Sequence, residues 1–461
     1  MNKKKLFGTV LITLLIFMGL TWIIKTGLFQ SGAYTEVGLK PLGLVDLFYL
    51  PLLSFQTFVQ YGIFILAVGG FYGILGKTKG YNALINKVAE RNKKRRTLFL
   101  SFTVLVFVIV SSIVGAPMGL FAIVPLFKDI LEKMGYEKKN IMLATIGAIF
   151  VGIIGSTLSF EVSGYLNYFY KVQYTDLIVA KLAILVLITL LLILYIKKSN
   201  KTFVENEIVV DKKAKTFPIV IILAILFALG FAGMYSWMYG HEISFFNDFH
   251  ATIKEFEIGG FNIVSALLGQ NAKAIGAWSE PDFAAVLLIG AVVIAWIYGL
   301  KFKDMYEGFL EGAKKLLPTS IFVTLAFVVL MPLYTSQDGT SIVYTIVNGL
   351  LDGAKEVSIL SMSLVSAVAT FFYGQFIYIA SDLSEPLTTI FTNKEMYPLM
   401  GLIMQSIFGL TLFVTPTSML LLGGLSYFEV NYKEWFKHIF KFILITLVIL
   451  IVTFLIVGWV A

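Results

Sequence analysis

Two short runs of small hydroxyl residues interrupt apolar stretches of the chain. The first is Gly155-Ser156-Thr157 and the second is Thr415-Pro416-Thr417-Ser418. Glycine and proline permit a helix to break, and a broken helix exposes unpaired backbone N–H and C=O groups at the cut. The N-termini of half-helices favour a carboxylate, whereas carbonyl and hydroxyl oxygens favour Na+. The two runs therefore predict a substrate and ion site, in which Na+ is held by Ser156, Thr157, Thr417 and Ser418.

Two longer apolar stretches are also interrupted midway. Residues 98–127 contain Gly115-Ala116-Pro117, and residues 356–391 contain Ser381-Asp382-Leu383-Ser384-Glu385-Pro386. A straight span needs about 20 residues, so we interpret each stretch as a re-entrant hairpin with these residues at its turn. An acid at membrane depth is costly and indicates function. Asp382 and Glu385 are predicted to bind a cation, carry a proton or hold the amino group of a substrate; the alternative is that they lie in outside water.

One further acid and the glycine pairs have two interpretations each. Glu161 closely follows the first hydroxyl run, and the sequence allows it either in the same cavity or at the outer interface. Gly69-Gly70 is not followed by the Lys-Ser or Lys-Thr of a phosphate loop, so close helix packing explains it better than nucleotide binding. The only arginines, Arg91, Arg95 and Arg96, lie in one loop, which leaves no arginine clamp for a carboxylate within the membrane.

The side chains that enzymes need are scarce. The chain has no Cys and three His, which excludes a thiolate zinc site. No histidine or lysine lies at the depth of Ser156 or Ser418 to activate either as a nucleophile. We therefore predict no catalytic residue and no cofactor other than Na+ or H+ as a coupling ion. A channel and, with less support, a membrane-embedded enzyme are the alternatives.

Composition defines the class of protein. Of 461 residues, 58% are hydrophobic and 14% charged, which a soluble fold could not bury. The net charge of +8 lies mostly in short loops, so it indicates topology and not a nucleic-acid partner. These loops place the N-terminus inside and residues 237–283, where acids outnumber lysines, outside. No small-residue cleavage site follows the first apolar run, so we predict a retained span in a multi-pass protein of the cytoplasmic membrane.

The chain divides into two similar parts. Residues 1–199 form a first half with a hairpin at about 98–127 and a broken helix at about 141–162. Residues 200–216 form a cytoplasmic linker, and residues 217–461 form a second half with a hairpin at about 356–391 and a broken helix at about 398–427. Tyr136 and Tyr397 precede the two hydroxyl runs by the same spacing. The charges of the preceding loops differ, which predicts an all-α polytopic membrane protein made of two inverted repeats.

The run from Gly69 to Thr78, the basic loop after it and the two hydroxyl breaks resemble the YfcC family, which is related to the DcuC-type anaerobic four-carbon dicarboxylate carriers of the ion transporter superfamily. The resemblance implies an elevator-type carrier, often a homodimer, for dicarboxylates, basic amino acids such as arginine exchanged for ornithine, or other small organic acids. Coupling is to Na+, H+ or a counter-substrate. Both hairpin turns depart from the family pattern. We therefore predict a secondary active transporter of a small organic acid or amino acid, with its substrate unassigned.

Overall fold

The computed structural model describes residues 3–31, 33–200, 203, 208–211, 213–334, 336, 338–352 and 357–460. Within these residues, seven helices are long and apolar enough to cross a membrane, and a sharply bent pair would make eight. The prediction of a mainly helical, multi-pass membrane protein is confirmed. Residues 201, 202, 204–207 and 212 of the predicted linker 200–216, and residue 356 at the start of the second predicted hairpin, lie outside the described residues.

The first half of the chain begins with a membrane-length helix and then a two-stranded hairpin of β1 (Thr26–Gln30) and β2 (Ala33–Gly38). Its helices are α1 (Lys3–Ile23), α2 (Leu44–Gly76), α3 (Lys79–Asn92), α4 (Arg96–Ile113), α5 (Val124–Lys133), α6 (Lys138–Met142), α7 (Ala148–Ile154), α8 (Tyr165–Tyr170) and α9 (Ile178–Ser199). Two π-helical turns, Leu143–Gly147 and Phe160–Gly164, lie on either side of α7.

The second half starts with a membrane-length helix and an excursion of short helices. Its helices are α10 (Phe217–Met234), α11 (Trp237–His241), α12 (Phe245–Glu255), α13 (Ile263–Leu268), α14 (Glu280–Ile297), α15 (Phe302–Leu325), α16 (Leu330–Tyr334), α17 (Ile342–Leu350), α18 (Ile359–Tyr373), α19 (Phe376–Asp382), α20 (Ser384–Ile390), α21 (Tyr397–Thr411), α22 (Met419–Phe428) and α23 (Tyr432–Val460).

The antiparallel β1–β2 hairpin is a feature that the sequence analysis did not predict. Its strands are short and their residues are mixed in polarity, so the sequence there does not have the apolar pattern of a membrane span. Gly27 N–H donates to the Ser341 carbonyl and Ser341 N–H donates to the Gly27 carbonyl, both at 2.9 Å. The hairpin therefore joins the start of the first half to the segment before α17 in the second.

Glycines bring helices α2 and α15 into backbone contact. A Cβ atom added to Gly69 would lie 2.6 Å from the Gly312 carbonyl oxygen, and one added to Gly73 would lie 2.0 Å from that of Gly308. Only glycine allows such an approach, as in the small-residue interfaces of membrane helices. The glycine-rich run of α2 is thus a helix-packing surface.

Each half contains a helix that ends near a glycine with a positive φ. In the first half, α4 ends at Ile113, and the chain passes through Gly115 (φ +75°) before it continues into α5. In the second half, α18 ends at Tyr373, and α19 leaves at an angle of 118° after Gly374 (φ +66°). We call residues 114–118 the first turn and residues 374–375 the second turn.

The second turn differs from the prediction. Ser381-Asp382-Leu383-Ser384-Glu385-Pro386 is not the point of reversal, because these residues lie in α19 and α20 on either side of Leu383. Pro386 is tolerated as the third residue of α20, where its missing N–H would have no partner in the helix. The reversal takes place at Gly374, whose left-handed backbone conformation is readily adopted only by glycine.

Each turning helix packs on a helix that is itself interrupted. Helix α4 lies against α7, α18 lies against α21, and α7 and α21 lie against each other. The chain leaves α7 at Gly155 and α21 after Thr411, and we call residues 155–159 the first break and residues 412–418 the second break. Most residues of both breaks and both turns are buried or half-buried, whereas Leu158 of the first break is exposed.

Candidate functional site

A cavity of about 230 Å3 lies where the two turns and the second break meet. Gly115 and Pro117 of the first turn, Gly374 and Gln375 of the second turn and Ser418 of the second break all line it. The remaining walls are largely apolar and aromatic, which is typical of a small-molecule site. Met118 of the first turn and Leu412 of the second break also line it, and the lining residues from the rest of the chain are Tyr61, Phe150, Ile153, Glu161, Val162, Tyr165, Glu280, Phe376, Ile377, Tyr378, Phe408, Met419 and Leu420.

The first break is tied to the end of α4 by hydroxyl and backbone hydrogen bonds. Ser112 Oγ donates to the Gly155 carbonyl at 3.0 Å and lies 3.1 Å from Thr157 Oγ1. Thr157 N–H donates to the Ser112 carbonyl at 3.1 Å. These bonds supply partners for backbone groups that the interrupted helix leaves unpaired. Gly155, Ser156 and Thr157 are all buried, but they do not line the cavity and stand behind its wall.

The second break is tied to α18 in a similar way. Thr417 Oγ1 donates to the Thr370 carbonyl at 3.4 Å and lies 2.8 Å from Thr415 Oγ1. The Leu421 N–H donates to Ser418 Oγ at 3.3 Å, so Ser418 caps the N-terminus of α22. Pro416 lies between these residues and prevents α21 from continuing through the break.

Gln405 of α21 crosses the first break. Its Nε2 donates to the Ser156 carbonyl at 3.1 Å, and Ser406 Oγ donates to the Ile154 carbonyl at 3.1 Å. Three fully buried side-chain oxygens of the first break and of Gln405 have no hydrogen-bond partner among the described residues: Ser156 Oγ, Ser159 Oγ and Gln405 Oε1. A buried, unsatisfied oxygen costs free energy, so these atoms suit a bound cation or water. No group of three or more His, Asp or Glu suited to a metal ion occurs in the described part of the chain.

Four of the predicted site residues lie elsewhere. Ser381, Asp382, Ser384 and Glu385 do not line the cavity. Asp382 is half-buried and its Oδ1 lies 3.3 Å from Ser381 Oγ, whereas Ser384 Oγ donates to the Ser381 carbonyl at 2.7 Å and Glu385 is exposed. Ala116, in the first turn, is buried but does not line the cavity either.

Most residues that line the cavity were not predicted from the sequence, among them Gln375 and Glu280, and Glu161 was left between two positions. Gln375 follows Gly374, and its Nε2 donates to Tyr61 OH at 3.2 Å. Glu280 is the first residue of α14, far from either break in sequence. Glu161 lies in the cavity wall. The sequence signals for these positions were the glycine at position 374, beside Gln375, and the position of Glu161 shortly after the first hydroxyl run.

The chain matches a family of carriers along almost its whole length. Residues 4–458 match the family model described as DcuC, C4-dicarboxylate anaerobic carrier. No curated protein matches the chain. Among solved structures, the chain is similar to the YdaH transporter from Alcanivorax borkumensis, described as having an unusual topology, with 14% identity, 98% of each chain covered and a TM-score of 0.39.

Proposed function

The chain belongs to the DcuC family of C4-dicarboxylate anaerobic carriers, and from this premise we propose that it moves a small organic acid or amino acid through the cavity between its two turns. A member of this family is a secondary transporter in a lipid bilayer and not an enzyme. The proposal concerns the residues that bind the solute, the coupling ion and the way the site opens.

The observation that carries the proposal is the meeting of both turns and the second break in one cavity. Ser418, which caps the ten-residue helix α22, and Met419 and Leu420, which begin it, all line this cavity. Backbone N–H groups at a helix N-terminus and its partial positive charge favour a carboxylate. We assign this end of the cavity to a carboxylate of the solute, beside Gly115 and Pro117.

We propose Na+ as the coupling ion, bound at the first break. The sequence-based set of Ser156, Thr157, Thr417 and Ser418 is narrowed by the hydrogen bonds, because the last three hydroxyls already have partners. Ser156 Oγ remains as a ligand for Na+, and the side-chain oxygens of Ser159 and Gln405 are further ligands, because none of the three has a hydrogen-bond partner among the described residues. These ligand atoms are neutral oxygens, which match the preference of a hard cation such as Na+.

We further propose that access alternates when the two turning helices and the two broken helices move against the α2–α15 pair. Support comes from the contrast between the glycine contacts within α2–α15 and the side-chain contacts around the cavity. The inverted orientation of the halves, the cytoplasmic N-terminus, residence in the cytoplasmic membrane and a homodimer belong to the same proposal.

The test is uptake by the purified full chain in proteoliposomes. Labelled succinate, arginine, ornithine and a neutral amino acid are each offered with and without Na+ and with internal counter-substrate. We expect saturable uptake that Ser156→Ala and Ser418→Ala reduce. Ser101→Ala is the matched control, because among the described residues the Ser101 hydroxyl bonds only within its own helix, to the Thr97 carbonyl. If both site variants transport like the control, the site assignment is wrong.

A further inference from the structure

We infer that helix α12 (Phe245–Glu255) lies on the bilayer and inserts one side into the lipids of the leaflet where α10 ends and α14 begins. The helix belongs to residues 235–279, the segment of short helices that we call the excursion. The inference goes beyond the proposed function, because it concerns a surface outside the cavity and names lipid as the partner of that surface.

Both ends of the excursion meet at the end of α10. The Gly276 and Trp278 N–H groups both donate to the Gly233 carbonyl, at 2.9 and 3.0 Å. A Cβ atom on Gly233 would lie 2.1 Å from the Trp278 ring, so this ring lies against the last turn of α10. Helices α10 and α14 are long and apolar enough to cross a membrane, and tryptophan is enriched where such helices meet the lipid headgroups. The excursion therefore begins and ends at the boundary of the bilayer.

Helix α12 carries apolar and polar residues on opposite sides. At 3.6 residues per turn, Phe245, Phe249 and Phe256, the last of which directly follows the helix, lie within about 40° of one another around the helix axis. We call these three residues the phenylalanine row; they are 64%, 54% and 55% exposed. The rings of Phe245 and Phe249 stack, with their centroids 6.2 Å apart. Asn247 and Ala251 lie on the opposite side of the helix.

Contacts on its other sides fix the orientation of α12 within the excursion. Lys254 Nζ donates to the Ala272 carbonyl at 3.3 Å, and Asn262 Nδ2 donates to the Lys254 carbonyl at 3.1 Å. The Phe246 ring packs on the Trp237 ring, with centroids 5.1 Å apart. The phenylalanine row is left facing away from the excursion. A continuous row of exposed rings marks an interaction surface, and an amphipathic helix at the boundary of a bilayer is typical of one that lies in the headgroup region.

The row suits lipid better than a second copy of the chain. An aromatic side chain buries roughly 200 Å2, so three rings that are about half exposed offer about 300 Å2. A stable protein interface needs about 800 Å2 from each partner. Insertion into lipid has no such threshold, because its strength grows with whatever apolar area is buried.

The excursion also contacts the first break. His241, at the end of α11, has its Nε2 atom 3.2 Å from the Leu158 carbonyl oxygen and 2.6 Å from the Tyr235 hydroxyl. Three residues separate His241 from the start of α12. A short segment therefore joins the surface that we assign to lipid and the break where we propose the Na+ site.

The experiment measures whether the phenylalanine row lies in lipid or in water. The chain has no Cys, so a spin label attaches only to a cysteine that is introduced. Phe249→Cys and Phe245→Cys place the label in the row. Ala251→Cys is the matched control, because Ala251 is exposed on the opposite side of the same helix.

Each labelled full chain is reconstituted in phosphatidylcholine proteoliposomes. Power saturation then compares collisions of the label with oxygen, which concentrates in lipid, and with a water-soluble nickel chelate. We expect the ratio of oxygen to nickel collisions to be roughly threefold or more higher for Phe249→Cys and Phe245→Cys than for Ala251→Cys, because an interfacial helix buries only its apolar side. The two row positions test the same surface, so one suffices if the other variant fails to fold.

Two results would overturn the inference. Equal ratios in the row and at Ala251→Cys would show that both sides of α12 lie in water. Low access of both reagents to the row, with dipolar broadening between labels on separate copies, would show that the row is an interface between two copies of the chain. Neither measurement depends on uptake, so the proposed function is tested separately.

Discussion

Replacement of Gly374 by alanine should impair transport, because the second turn depends on a conformation that alanine adopts poorly. Gly374 has φ +66°, and a Cβ atom there would lie 2.5 Å from the Thr417 carbonyl oxygen. The left-handed conformation costs an L-residue roughly 1–2 kcal/mol. The contact with Thr417 must also widen, because ordinary contacts of this kind begin at 3.4 Å. Both costs fall on a turn that forms part of the cavity wall.

A penalty of 1–2 kcal/mol corresponds to a loss of about 5- to 30-fold in the population of the native turn. The assay is the initial rate of solute uptake in proteoliposomes, with the apparent Tm in detergent measured in parallel. We expect at least a fivefold lower rate for Gly374→Ala. A lower Tm would accompany it if the turn also contributes to global stability.

The matched control is Gly349→Ala in α17. Gly349 has no positive φ, and a Cβ atom there would meet no heavy atom within 4 Å. The control should therefore transport like the unmodified chain. If Gly374→Ala and Gly349→Ala have uptake rates within twofold of each other, the reasoning about the second turn is refuted.

Three further predictions address stability and the first break. Gly312→Ala should lower the apparent Tm, since its Cβ would lie 1.9 Å from a carbonyl oxygen of α2, whereas Gly76→Ala, with open space, should not; equal Tm values would contradict this. Ser112→Ala removes hydroxyl contacts to the first break, so it should destabilise the protein by about 1 kcal/mol and weaken the dependence of uptake on Na+. If uptake by this variant responds to Na+ concentration as in the unmodified chain, the first break does not take part in ion coupling. The Lys138 ammonium lies 2.8 Å from the Glu429 carboxylate and holds the pKa of that carboxyl below its usual range. The pair therefore stabilises the protein above about pH 4.3, and this stabilisation is lost as pH falls through the lowered pKa. Because both side chains are half-exposed, Lys138→Ala should lower the free energy of unfolding by less than about 1 kcal/mol at neutral pH and should not change it in acid. A series of Tm values measured at different pH checks this. A larger loss of stability in acid than at neutral pH would contradict the expected pH dependence.

The sequence predicted the membrane helices well because their physics is local. A run of about 20 apolar residues has few alternatives to a membrane helix, and helices such as α9 and α10 follow from composition alone. The β1–β2 hairpin was not predicted, because its residues are of mixed polarity and part of its pairing is with Ser341 from the other half of the chain.

The candidate site was only partly predictable. Gly115, Pro117 and Ser418 were singled out because glycine, proline and hydroxyl residues interrupt apolar runs, and all three line the cavity. The sequence analysis placed the second turn at Ser381–Pro386, because a run with two acids and a proline interrupts the apolar stretch more strongly than the single Gly374 does. In the structure, the proline fits the first turn of α20 and the glycine supplies the reversal.

Glu280 was missed for a different reason. Its position at the start of α14 looks like that of any helix-terminal acid, where the helix dipole favours a carboxylate. Only the three-dimensional packing that brings α14 beside the first break gives this residue a second neighbour of the same charge. Contacts of this kind depend on the whole fold, and no periodicity along the chain encodes them.

The contact between α2 and α15 also limits how the protein can deform. Side chains that interdigitate can change rotamer and let one helix slide past another, but the glycines of this pair bring carbonyl oxygens against opposing Cα atoms. Such a contact has no rotamers to change, and its geometry survives only over a narrow range of separations. The two helices should therefore move as one rigid unit. Lipid composition or bilayer tension should change the tilt of this unit without separating the two helices.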